Sequence, residues 1–223
     1  MVFPEIMKIL ALPIVIILLL GGISSAFYLH HSEADKLPLT REELTEKWKK
    51  ASPAVEILHT GDLILRHGRG FISNAFMSMS LQDQKYSHSG LIHIEDGKTY
   101  VYHAIGGEEN VTNDMKKDRI EDFCDPASVH SFGIYRYDLN EEELERLDSL
   151  AGDFYRKKLQ FDTHLDLSTD SLMYCSEFIY KVLGNVSHDK NYIPLSEITG
   201  KKYIAIDNLY LNKHCTFIYD YNY

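Results

Sequence analysis

The sequence predicts an α+β fold in which an antiparallel sheet packs against helices. Three observations carry this. "SHSGLIHIEDGKTYVYHAIGG", Ser87 to Gly107, holds two β-rich runs around Asp96-Gly97, a dipeptide suited to a tight hairpin turn. Two segments open with capping boxes, Thr40 with Glu43 and Asn140 with Glu143, and so begin helices. Together the segments give helices plus a mostly antiparallel sheet, with no internal repeats.

The elements follow in order. Ile6 to Leu29 is an apolar run with one charged residue, Lys8. It is long enough to cross a hydrocarbon core about 30 Å thick. Residues 1–31 are therefore read as a signal anchor, with a signal peptide cut after Ala26 as the alternative. No cysteine lies near Gly21 or Gly22, which excludes a bacterial lipoprotein anchor. Residues 32–55 form a connector and a short helix, Thr40 to Ser52, and the folded domain is expected over 56–223. Within it, "GDLILRHG" from Gly61 is a strand and Gly70 to Ser80 a helix, with Phe71, Phe76 and Met77 read as core, or alternatively as contacts for an acyl chain. The hairpin follows, then a strand from Ser128 to Tyr137. The Asn140 helix runs to about Lys158, and "FDTHLDLSTD" is a loop. A helix opens at Cys175 and is expected to stop at Gly184. Lys202 to Tyr223 is read as one or two strands.

The chain has 223 residues and a formal net charge of −10. Phosphate binding needs a basic stripe, and none is visible, which argues against nucleic acid. The three cysteines, Cys124, Cys175 and Cys215, are far apart with no CxxC pair. There is no HExxH and no glycine-rich phosphate loop, so neither a metal nor a cofactor is expected.

Cys175 lies in the first turn of its helix. Unpaired backbone N–H groups there favour negative charge, which favours thiolate over thiol and can hold an oxyanion. A thiol nucleophile also needs a base. In a hairpin turning at Asp96-Gly97, residues whose numbers sum to about 193 stand opposite each other. His88 and His103 come within one pair of that register, so one can take the thiol proton while the other orients it. His93 is five residues from His88 and faces the other way. Glu177, about 200° round the helix from Cys175, is assigned a structural role. Asp62 is read as a hydrogen-bonding residue of a turn or strand edge. Cys124 and Cys215 lack such settings and are read as structural.

"GDLIL", "YSHSGLI", "VYHA" and "YCSEFIYKVL", in that order, resemble the circularly permuted papain-like amidases of the NlpC-type superfamily, in particular the YiiX/YebB-like group. In the permuted branch, which includes lecithin:retinol acyltransferase, histidine precedes cysteine, as here. The resemblance covers Gly61 to Leu183. It implies Cys175 as nucleophile, His88 as general base and His103 as third residue, where many YiiX-like members carry glutamate. It also implies that Tyr174 contacts substrate or the oxyanion. The implied activity is a cell-envelope hydrolase cleaving amide bonds in a peptidoglycan peptide, an N-acyl amino acid or a lipid-like conjugate. An acyltransferase using the same thioester, and an inactive membrane-tethered binding module, are the alternatives.

Overall fold

The computed structural model describes residues 39–107, 110–189 and 191–223. The apolar run at Ile6 to Leu29 lies outside the described residues. Among those described, no helix is long and apolar enough to cross a membrane.

Helix α1, Arg41–Ala51, places acidic residues in its first turn and Lys49 and Lys50 in its last, complementing the helix dipole. A 3₁₀ turn, Ser52–Ile57, follows. Ala51, Ala54 and Leu58 are buried, so this segment joins the core.

A six-stranded sheet carries the rest. Its strands are β1 (Leu63–Gly68), β2 (His88–Glu95), β3 (Lys98–His103), β4 (Lys116–Arg119), β5 (Val129–Tyr137) and a C-terminal strand, Cys215–Asn222. The C-terminal strand pairs with β5, and the order continues β5-β1-β2-β3-β4. Every pairing is antiparallel. The hairpin register, Leu91 opposite Tyr102 and Glu95 opposite Lys98, follows the expected sum. Asp96 and Gly97 both adopt positive φ, as a tight hairpin turn requires.

Two short helices flank the sheet strands, α2 (Phe71–Ser78) and α3 (Ile120–Phe123). Among the described residues the two longest helices are α4 (Glu141–Arg156) and α5 (Cys175–Val186). The capping box opens α4: Asn140 Oδ1 accepts from the Glu143 amide at 3.0 Å, and Glu143 Oε2 accepts from the Asn140 amide at 2.9 Å. Between α4 and α5, two-residue strands β6 (Gln160–Phe161) and β7 (Leu172–Met173) pair in parallel. A second small pair, β8 (Ser196–Ile198) with β9 (Lys201–Tyr203), precedes helix α6 (Ile206–Tyr210). The C-terminal strand is β10.

Alternation along the strands divides the interior into two clusters. Leu63, Leu65, Leu91 and Tyr102 pack with α4, α5 and α6. Ile64, Ile92, Val101, Phe132 and Ile134 pack with Ala51, Ala54, Ile120 and Phe123.

Four expectations need correction. Helix α5 continues through Gly184 to Val186, because its carboxyl turn is held by the Ser187 amide on Leu183 O at 2.9 Å. The tail contains helix α6 between strands, because Asn208 Oδ1 accepts from the Ala205 amide at 2.8 Å and nucleates a turn there. Strand β4 was not predicted: "KKDR" has no β-branched or aromatic residue to mark it. Finally, α2 is not core. No residue in it is buried, and Phe71 and Ile72 are 84% and 67% exposed.

Candidate active site

Cys175 is the first residue of α5, with Tyr174 at the N-cap in extended conformation. Strand β7 delivers the chain into this turn, and Phe178, Ile179, Val182 and Leu183 anchor the helix against the sheet. The thiol is buried and free, as are the thiols of Cys124, also buried, and the half-buried Cys215.

Beyond Leu91 the β3 side of β2 has no ladder partner in register. There the amide and hydroxyl of Ser89, the residue after His88, favour the anionic form of the Cys175 sulfur. The Cys175 and Ser176 amides of the helix start act in the same sense. The Ser89 hydroxyl is fully buried and makes no hydrogen bond to any other group among the described residues. Burial nevertheless outweighs these donors and pushes the thiol up from its ordinary range. The helix start alone does not produce a resting thiolate, which corrects the sequence expectation.

His88 and His103 are brought together. His88 Nε2 and His103 Nδ1 lie 2.9 Å apart, and both rings are buried beside Phe123. Gly90 makes room for this arrangement: a Cβ there would meet Tyr102 O at 3.0 Å and His103 Cβ at 3.3 Å. His103 Nε2 lies 3.1 Å from Asp118 Oδ2, so Asp118 on β4 completes a series that sequence reasoning missed. The only signal for Asp118 was its place in a charged run, and such a run reads as a solvated surface.

The hydrogen-bond directions follow from Asp118. Burial raises its carboxyl, but the hydrogen bond and charge of His103, and then those of Lys116, overcome this and bring it to about 2. An ionised carboxylate only accepts, so His103 Nε2 carries the proton. Burial holds His103 neutral, below its ordinary value, so its Nδ1 is an acceptor. It therefore receives the Nε2–H of His88. Burial, then Arg66, His103 and Lys116, lower His88 well below its ordinary value, so it too is neutral. Its Nδ1 is left as an unprotonated base.

Cys175 Sγ makes no hydrogen bond to His88 among the described residues: Ser89, the next residue along β2, meets the sulfur on the α5 side, while the His88 ring packs on the Phe123 side. Catalytic hydrogen bonds are often long before substrate binds. Tyr174 is buried, and its hydroxyl accepts from the Ile204 amide at 2.8 Å. Its phenol thus braces the approach to α6. Glu177 is fully buried, accepts from the Tyr174 amide at 3.3 Å and pairs with Lys181 at 3.0 Å. Asp62 accepts from the His59 amide at 2.8 Å and from Arg136 Nε at 2.6 Å, tying the entry of β1 to β5. His93 faces the opposite side from His88, 2.7 Å from Asp148 of α4.

No family model matches the sequence, and no curated protein matches it. Among solved structures it is similar to the metalloprotein YiiX of Escherichia coli O157:H7. The superposition has a TM-score of 0.60 at 16% identity and covers 74% of this chain and 98% of that one. Among the described residues there is no donor set that fits a metal ion. No three His, Cys, Asp or Glu side chains gather so as to hold an ion, and the ring nitrogens of His88 and His103 face each other. The chain has the YiiX-like fold.

Proposed function

We propose that the protein is a cysteine-dependent amidase of the cell envelope, with Cys175 as nucleophile, His88 as general base and His103 as the residue that orients it. The observation that carries this reading is the series Asp118–His103–His88, which leaves His88 Nδ1 as a neutral base beside the segment that meets Cys175.

Cys175 Sγ attacks the amide carbonyl carbon and gives its proton to His88 Nδ1, a step for which the His88 ring turns from the Phe123 side of β2 toward the sulfur. The oxyanion is held by the amides at the start of α5, with the buried Ser89 hydroxyl beside them. The C–N bond then breaks, and the amine leaves with the proton from His88. A thioester remains. Water, deprotonated by His88, attacks it, releasing the carboxylic acid and restoring the thiol. The imidazolium formed in each step keeps its Nε2–H on His103, whose own Nε2–H rests on the Asp118 carboxylate. The negative charge thus acts through one intervening ring, which answers the replacement of the family's glutamate by histidine. The substrate is an acyl amide: a peptidoglycan peptide, an N-acyl amino acid or a lipid-like conjugate.

The test is acylation of the full chain, solubilised in neutral detergent, by p-nitrophenyl acetate, with adducts located by mass spectrometry. An acetyl group on Cys175 but not on Cys124 or Cys215 is expected. Its rate should fall on the order of 10²- to 10⁴-fold in His88→Ala. Absence of that adduct, or a rate indifferent to His88→Ala, would point to a binding module instead.

A further inference from the structure

A cavity of about 480 Å³ runs along the edge strand β4 and the end of α4. Four cations line it, Lys116, Lys117, Arg156 and Lys158, together with Tyr155 and the carboxylates of Asp114 and Asp118. Lys116 pairs with Asp118, Lys117 with Glu95 and Arg156 with Asp153, which leaves Lys158 as the lining cation with no carboxylate partner among the described residues. Lysines on an edge strand can serve simply to block pairing with another chain. That accounts for Lys116 and Lys117. Arg156 closes the last turn of α4 with an ion pair to Asp153, but neither reason accounts for Lys158 in the turn after it. Lys158 has no ion-pair partner among the described residues, and its backbone sits at φ 53°, in the left-handed region.

The cavity also touches the histidine series. Lys116 Nζ lies 2.9 Å from Asp118 Oδ2, the same oxygen that receives His103 Nε2 at 3.1 Å. One carboxylate oxygen is shared between a lysine and the relay.

We propose that this cavity binds the anionic group, a carboxylate or a phosphate, of a ligand, and that the bound anion draws Lys116 from Asp118. Asp118 Oδ2 then serves His103 alone, and His88 becomes a stronger base. The binding half stands on the cavity itself; the coupling half rests on the amidase reading above. For a substrate bearing an anionic group, occupancy would raise reactivity only when that group is seated.

The test titrates the full chain, at constant ionic strength, with inorganic phosphate and separately with acetate, by calorimetry. Saturable binding of at least one is expected, weakened tenfold or more in the Arg156→Ala/Lys158→Ala double variant. Which anion saturates names the source of the charge. No saturable binding of either, or binding unchanged in the double variant, overturns the site. The second readout is the rate of Cys175 acetylation at saturating anion. A rise of about threefold or more in wild type, absent in Lys116→Met, supports the coupling. A rate that does not respond in wild type overturns the coupling while the site stands. If Cys175 is not acetylated at all but the anion still binds, the amidase reading has failed and the anion site has not.

Discussion

At the scale of single residues, the decisive group is Asp118, which touches neither the thiol nor His88 in the described contacts. It sets which nitrogen of each ring holds the proton, and the assignment passes through His103 to His88. Asp118→Ala removes the acceptor that keeps the His103 proton on Nε2, so neither ring's proton is fixed and His88 Nδ1 is no longer kept free. Acetylation of Cys175 is expected to fall on the order of 10²-fold or more in Asp118→Ala, by the logic that makes wrong-tautomer variants of triads inactive. Urea unfolding should show a native fold, which separates this effect from collapse of the site. Ser89 and Gly90 are the other small-residue choices that matter here: one supplies a buried hydroxyl near the sulfur, the other the close approach of β3 at Tyr102 and His103.

At the scale of elements, α5 is held at its start from three sides. Glu177 takes the Tyr174 amide, the Tyr174 hydroxyl takes the Ile204 amide, and the Ser176 hydroxyl donates to Ile204 O at 2.8 Å. These bonds tie the Cys175 turn to the segment entering α6, so the nucleophile sits on a braced element. Helix α2 is the opposite case. Its apolar residues satisfy a helical pattern, yet none is buried. Phe71→Ser is therefore expected to change unfolding free energy by no more than about 0.5 kcal/mol in a urea titration. A loss of about 3 kcal/mol, typical of a buried phenylalanine, would show that α2 is covered in solution.

At the scale of the whole molecule, two neutral imidazoles are enclosed between the sheet and the Phe123 side of the core. Both have folded-state values below the unfolded value of about 6.5. Between those values the unfolded chain binds more protons, so their contribution is present above pH 6.5 and is lost as pH falls through the folded values. Glu177 acts in the opposite sense: burial raises it to about 7 despite Lys181, so its contribution favours the folded state at acid pH. Comparing wild type with His88→Gln removes one imidazole and leaves Glu177 in place. The urea midpoint of wild type is expected to fall more steeply from pH 7 to pH 5 than that of the variant. Equal slopes would mean that His88 is not held neutral by the fold.

Much of the site was legible in the chain. Asp96-Gly97 sets the hairpin, the hairpin register brings His88 to His103, and the polar-to-apolar change after Asp170 starts a helix at Cys175. These are local signals, in which a turn or a period is written into neighbouring residues. The four-part order of motifs pointed to the fold that the YiiX superposition bears out. What only the tertiary structure decided depends on long-range placement. "KKDR" becomes a strand because β3 offers it an edge, and only then does Asp118 reach His103. The Cys175 thiol is raised rather than lowered because α5 buries it, a balance of desolvation against four donors that no spacing encodes. Phe71 and Ile72 are exposed because no described residue covers their side of α2, whereas Phe76 meets Phe161; a helical period can say which side chains share a face but not whether that face is covered.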